Sequence, residues 1–197
     1  MRRAFGLTTA LLLVSCAGVG TRFDPPNCPV VPSSRSDLPD DLDLRARMNF
    51  KIDDRDVHLD VLARSSPGEL VVVGIASYGV RVFAAQQRGR RIAVSDAATR
   101  EFEHLARWTM DALHRSVWIQ APPDAGWGPV VRWSWENENV TESVQAGEAR
   151  REFSRIGAST PVLVQYREHV IEIRNPWCGY HAVFAVVDDV GEEGTLP

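Results

Sequence analysis

LRARMNFKI, residues 44–52, alternates apolar and polar side chains without a break. Leu44, Ala46, Met48, Phe50 and Ile52 fall on one side, and Arg45, Arg47, Asn49 and Lys51 on the other. A period of two sends successive side chains to opposite faces of a pleated strand, so this stretch predicts a strand with one face on a core and one in water. A helix would need its apolar residues three or four apart, and the regular basic and amide positions forbid that.

Working downstream, Asp53-Asp54-Arg55 turns the chain into Val57, Leu59, Val61 and Ala63, which alternate with His58, Asp60 and Arg64. Further strands are predicted at about 69–76 and 80–86, joined by the tight turn Ser77-Tyr78-Gly79, and at 92–94 after Arg88-Gly89-Arg90. This is a meander of antiparallel hairpins. Between Ala98 and Trp118 the period becomes helical. Phe102, Leu105, Ala106, Thr109, Ala112, Leu113 and Val117 share a face, with Glu101, Glu103, Arg107, Asp111 and Arg115 largely off it. One amphipathic helix of about 20 residues follows from that spacing, ended by Pro122-Pro123. Alternation returns at Val131, Trp133 and Trp135, and strands are predicted at about 141–147, 151–155, 161–167, 170–174 and 180–187.

The expected fold is therefore mainly β (α+β): a curved antiparallel sheet, or half-open barrel, of about eleven strands wrapped around one long inserted α-helix, across residues 43–187. A sheet of this size exposes an apolar concave face unless something covers it, and the long amphipathic helix is the available cover. The gap between helix and sheet would be an apolar ligand cavity. Its candidate lining is Met48, Phe50, Ile52, Val73, Ile75, Phe83, Leu105, Leu113, Trp133, Trp135, Ile171, Ile173 and Phe184. Trp118, Trp127 and Trp177 suit its rim or a membrane-facing lip, where an amphipathic ring tolerates both media. Arg88, Arg90 and Arg91 are candidates for lipid head groups, or form a solvated turn.

Upstream of the strands, an apolar run from Ala4 to Val14 follows Met1, Arg2 and Arg3. It is far shorter than the roughly 20 residues of a membrane-spanning helix and predicts a secretory signal peptide over residues 1–15. Leu13-Val14-Ser15-Cys16 resembles the lipobox of bacterial lipoproteins. That resemblance implies a diacylglyceryl group on Cys16 and cleavage just before it. With roughly 0.8 kcal/mol for each buried methylene, two or three acyl chains hold a protein on a bilayer almost permanently. Ala17, rather than aspartate, follows the cysteine, and the rule for such proteins then implies the outer membrane, facing the periplasm. Residues 16–42 read as a flexible tether, with Pro25, Pro26, Pro29, Pro32 and Pro39 among serines. The acidic tail, 188–197, has no pattern. Cys28 and Cys178 remain besides the anchor. An oxidising periplasm lets them pair, or they stay as separate thiols.

A net charge of -4 argues against nucleic acid as a partner. Charged residues at 24% and hydrophobic ones at 44% are ordinary globular values and fit a monomeric domain on its anchor. Catalytic patterns are thin, and no cofactor is implied. Gly74-Ile75-Ala76-Ser77-Tyr78-Gly79 has one residue too many for a nucleophile elbow and is followed by a strand, not a helix. Glu101 and His104 have a metal-ligand spacing with no second copy, and the two cysteines lack zinc-site pairing. His58 and Asp60 share a strand face and face water.

With lipobox, meander, inserted helix and second meander in place, the chain resembles the LolA/LolB superfamily of lipoprotein carriers and the DUF3261-type bacterial outer-membrane lipoproteins grouped with them. The local matches are Ala76-Ser77-Tyr78-Gly79-Val80-Arg81-Val82-Phe83, similar to that family's hairpin tip and following strand, and Leu105–Trp118, similar to its helix. The family's protruding apolar tip residue corresponds to Tyr78, before Gly79, with Ser77 in the place of its proline. The resemblance implies a non-enzymatic carrier that shelters lipid or lipoprotein acyl chains. A structural adaptor docking on an envelope protein assembly, with no ligand cavity, is the alternative class, and an envelope hydrolase the third.

Overall fold

The computed structural model describes residues 42–52, 55–145 and 147–187. The expected signal peptide, Cys16, Cys28 and the tether as far as residue 41 lie outside the described residues, as do the Asp53-Asp54 turn and the acidic tail. The first meander is β1 (Asp43–Ile52), β2 (Arg55–Ser66), β3 (Glu69–Ala76), β4 (Arg81–Arg88) and β5 (Arg91–Ser95). Then comes the helix α1 (Arg100–Leu113). The second meander is β6 (Val130–Trp135), β7 (Glu138–Gln145), β8 (Glu148–Arg155), β9 (Val162–Arg167), β10 (Val170–Asn175) and β11 (Tyr180–Val186).

All eleven strands join one open antiparallel sheet in the order β5-β4-β3-β2-β1-β11-β10-β9-β8-β7-β6. Each meander pairs strands that are neighbours in sequence, and the two are sewn together where β11 returns to β1, from Ala46 opposite Val186 to Lys51 opposite His181. The two edge strands, β5 and β6, are the ones that flank the helical insertion in the chain. The turns after β4 and β6 belong to hairpins at opposite edges of the strand order, yet Arg90 and Glu136 of those turns form an ion pair.

Strand parity decides what faces the helix. Leu44, Ala46, Met48 and Phe50 of β1, and Leu59, Val61 and Ala63 of β2, are buried, while the residues between them are largely exposed. The helix carries Leu105, Ala106, Trp108, Met110, Ala112 and Leu113 into the same core. Burying each large side chain of this kind contributes roughly 1.5–3 kcal/mol, so the shared core is the main stabilising term. Thr99 caps α1, its Oγ1 accepting from the Phe102 amide at 3.4 Å, and Glu101 and Glu103 sit in the first turn, where the helix dipole favours negative charge. The expected helix, Ala98 to Trp118, is realised as α1 plus a π-helical turn, His114–Trp118, where the Ile119 amide donates to the His114 carbonyl at 2.8 Å. A turn that is wider by one residue is a common feature of functional or strained helix ends.

In two places the structure differs from the expected facing. Val73 and Ile75 lie on the face opposite the helix, because β3 sends Leu70, Val72, Gly74 and Ala76 inward. The inward slot at Gly74 holds no side chain of its own because the Phe83 ring fills it, beside a register shift at Gly74/Ile75. Asp111 and Arg115, expected off the buried face, are both 1% exposed. The second half of the helix is buried all round, since strands of both meanders reach it.

A Cβ added at Gly74 would lie 2.3 Å from the Phe83 ring. Phe83 is fully buried and has no room to retreat. Gly74→Ala is therefore expected to cost about 1–3 kcal/mol by overpacking, read as a lower urea midpoint with an unchanged m-value.

Candidate functional site

The residues expected to line a cavity divide into two groups. Met48, Phe50, Phe83, Leu105, Leu113, Ile173 and Phe184 are buried in the single core they form with α1. Each keeps at most 3% of its surface, so these seven belong to the packed core and not to the wall of an open groove. Trp133, Trp135 and Ile171 are half-buried and pack on the edge of that core, together with Tyr166. They make up a discontinuous strip on β6, β9 and β10: the Arg151 guanidinium lies 5.9 Å from the Trp133 ring and 5.6 Å from the Tyr166 ring, Ile171 is opposite Tyr166 in register, and Trp135 lies 5.7 Å from Arg115 near the C-terminal end of the helix. The Ile52 side chain lies outside what the structure describes.

At the heart of the interface between helix and sheet is a network of charge. The Arg115 guanidinium donates to Asp111 one helical turn earlier, at 3.1 and 3.2 Å, and to Glu138 on β7 at 2.6 and 3.2 Å. Glu138 also accepts from Arg155 at 2.7 Å. Asp111 Oδ2 accepts from the Asn175 amide at 2.8 Å and from the Tyr180 hydroxyl at 2.7 Å. Phe153 lies 4.8 Å below the Arg115 guanidinium, with Trp177 at 5.5 Å and Trp135 at 5.7 Å. Two carboxylates thus face two guanidiniums, and the aromatic faces keep water away. Burial by itself would lower the pKa of Arg115, but Asp111 and Glu138 outweigh it and hold the group charged above its ordinary value. Burial, and then Asp111, raises the Tyr180 hydroxyl well above its ordinary value, so it remains a donor.

Two smaller sets tie down the helix end. Arg151 on β8 donates through Nη1 to the carbonyls of Arg115, at 3.0 Å, and of Ile119, and through Nε and Nη2 to Glu142 at 3.1 and 2.9 Å. The Tyr166 hydroxyl, its pKa pushed up to about 12 by burial, donates to the Ser116 carbonyl at 2.8 Å. Carbonyls left over at a helix C-terminus are thereby satisfied from β8 and β9. On the other meander, His114 Nε2 and Gln87 Oε1 lie 2.7 Å apart, and the Gln87 amide donates to the Gly89 carbonyl at 2.8 Å. The ring is the donor in this chain, because the other end of the Gln87 amide is already spent.

Sequence reasoning missed this network. Asp111 and Arg115 were visible as an i, i+4 pair, but such pairs usually lie in solvent. Glu138 shares the parity of Val140 on β7, and starting that strand at residue 138 rather than 141 would have turned it inward.

The remaining candidates scatter. Tyr78 is 73% exposed at the tip between β3 and β4, where Gly79 takes φ +82° and donates to the Ala76 carbonyl at 2.8 Å. Val80 beside it is also exposed. Trp127 is 99% exposed, whereas Trp118 is buried edge-on to His114 and the Trp177 ring lies 5.5 Å from the Arg115 guanidinium and 4.6 Å from that of Arg155. Arg88 pairs with Glu69 at 3.1 Å and Arg90 with Glu136, while Arg91 is exposed. Glu101 lies 3.9 Å from Arg55, and His104 packs beside Trp108. Cys178 is buried and disulfide-bonded, which rules out the separate thiol for it, and Cys28, one candidate partner, lies outside the described residues. Compared with known proteins, the chain matches no family model, and no curated protein matches it.

Proposed function

We propose that the protein is a lipid-anchored envelope lipoprotein, held through Cys16 on the periplasmic face of the outer membrane, that carries a lipid or an acylated protein. In this reading the sheet is a LolB-like half-barrel curved around α1, which the Arg90–Glu136 contact between opposite edges supports. The observation that carries the reading is the half-buried strip of Trp133, Trp135, Tyr166 and Ile171 at the helix end. Trp133 Nε1 there is buried with no hydrogen-bond partner among the described residues, and the Arg151 guanidinium stands 5.9 Å from the ring. An unspent donor at the edge of the apolar core suits the ester end of an acyl chain, the Glu142 carboxylate on Arg151 disfavouring a free carboxylate there.

The acyl chain enters by displacing the helix end from this strip. Breaking a buried charge pair costs about 3–5 kcal/mol. Sheltering a chain of about 15 methylenes from water gains roughly 12 kcal/mol. The gain exceeds the cost only while the alternative is water, so cargo is held in the aqueous gap and released at a bilayer. No bond to the cargo needs to be made or broken.

Tyr78→Glu is the variant that separates holding from handing over. It is expected to keep its affinity for a fluorescent fatty acid within about twofold and to lose at least tenfold in the rate of transfer to vesicles, because a charge at an interfacial tip opposes insertion. Unchanged transfer would remove the tip from the mechanism. The second reading, an adaptor docking on an envelope assembly, is favoured by the closely packed core around Phe50, Phe83 and Phe184. Absence of fatty-acid binding would select it.

A further inference from the structure

The sheet ends on one side at β6, whose ladder runs to β7 alone. The Val144 amide donates to the Pro129 carbonyl at 3.1 Å, which makes Pro129 and Val144 a hydrogen-bonded pair. Such pairs alternate along an antiparallel ladder, so Val131, Trp133 and Trp135 spend their N–H and C=O groups on Glu142, Val140 and Glu138. The N–H and C=O groups of Val130, Arg132 and Ser134 then point away from β7, and no described residue bonds to them. All three residues are exposed. The side chains of Val131, Trp133 and Trp135, on the inner face of the same strand, are only half-buried, so the core is also unfinished along this edge. The other edge strand, β5, is in contact with α1.

An edge with unspent backbone groups is a template for another strand. Charge selects which. Arg132, in the middle of β6, forms no ion pair among the described residues: its neighbour across the ladder is Thr141, and Glu152 beyond that is paired with Arg150. Two copies of β6 joined antiparallel through these groups would set each Arg132 against position 130, 132 or 134 of the other copy. The two guanidiniums are then opposite or diagonal neighbours, and like charges so placed are destabilising. A carboxylate in that position is favoured instead.

We propose that β6 is a docking edge for an extended segment of a partner protein, which adds to the sheet as an antiparallel strand. The segment carries a carboxylate opposite Arg132, flanked on both sides by apolar residues that cover Val131 and Trp133. Backbone bonds at Val130, Arg132 and Ser134 supply affinity, and the charge pair fixes the register. This surface needs neither cargo nor anchor, so it goes beyond the carrier reading.

The test uses the full-length Cys16→Ser protein and a fluorescein-labelled peptide, Ser-Thr-Val-Glu-Val-Thr-Ser with both ends blocked, followed by fluorescence anisotropy. Saturable binding is expected below about 1 mM. Lysine in place of the peptide's glutamate should weaken it at least tenfold. Methylating the backbone nitrogen of that glutamate should do the same, because it removes a ladder bond and leaves the charge. Arg132→Glu, an exposed change that leaves the core intact, is expected to reverse the preference, so that the lysine peptide binds at least tenfold better than the glutamate one. Ser134→Pro removes an outward N–H without touching the bonds to β7, and should weaken binding at least threefold with an unchanged urea midpoint. Absence of binding, equal binding of the glutamate and lysine peptides, or full binding of the methylated peptide would each overturn the proposal. A dimer that forms with rising concentration and excludes the peptide would overturn it as well, giving the edge to a second copy. None of these outcomes bears on fatty-acid binding, so this proposal and the carrier reading fail separately.

Discussion

Arg115→Met is expected to destabilise the protein by about 3–5 kcal/mol, the cost of breaking a buried charge pair. The side chain it replaces is 1% exposed, and two carboxylates, Asp111 and Glu138, depend on it. Methionine fills the volume between Phe153 and Trp177 but leaves Glu138 with Arg155 as its remaining cation and Asp111 with two neutral donors. The melting temperature should fall by about 10 °C, at 2–4 °C for each kcal/mol in a domain of this size. The triple replacement Asp111→Asn, Arg115→Met, Glu138→Gln removes the three fully buried charges together, leaving only the Arg155 guanidinium, which is 33% exposed and open to water, and should recover at least half the loss because no unpaired charge is then left in the core. A loss below 1 kcal/mol in the single variant, measured by urea unfolding, would mean that the network does not hold the helix to the sheet.

The second large effect is on acid stability. His114 is buried at the end of α1, with Gln87 on one side, Trp118 against its ring and Arg115 next in the chain. Burial first, and then the Arg115 charge, lower its pKa from 6.5 to about 3. The unfolded chain therefore binds a proton below pH 6.5 that the folded protein refuses until about pH 3. Wherever the unfolded state holds more protons, stability falls as the pH falls, by about 1.4 kcal/mol for each unit. Between pH 7.5 and pH 4.5 this one ring should cost about 3 kcal/mol. His114→Gln keeps a hydrogen-bonding side chain and has no proton to gain, so the difference between its unfolding free energies at these two pH values should be smaller by about that amount. An equal difference in both proteins would show that the ring is protonated, or wet, in the fold.

These two residues show where reading the sequence stops. The strands were legible because Leu44 to Ile52, and the hairpins around Ser77-Tyr78-Gly79, carry their own period and turn chemistry, neither of which depends on distant contacts. The helix was legible for the same reason, with Pro122-Pro123 after it. Parity failed at Leu70 to Ala76, where every side chain is apolar or absent and only the Phe83 ring, reaching the Gly74 slot, chooses the face. Burial failed at Asp111 and Arg115, because a helix covered from several sides has no solvent face, and that covering comes from strands 20 to 70 residues later. The expected lining was legible as apolar but not as lining. Phe50 and Phe184 have the composition of a cavity wall and the surroundings of a core, and only their missing exposed surface separates the two.

The helix network also gives the carrier reading its energetic shape. A rod fastened by Arg115, Arg151 and Tyr166 will not drift from the strip at Trp133 and Trp135, so the loaded state has to be stabilised by the cargo itself. The most direct measurement is native mass spectrometry of the full-length Cys16→Ser protein purified from cells. The account predicts a population heavier by one lipid or fatty acid, which returns to the bare mass when a fluorescent fatty acid displaces it. A single bare mass that neither carries nor accepts an acyl chain, in a cooperatively folded protein, would contradict it.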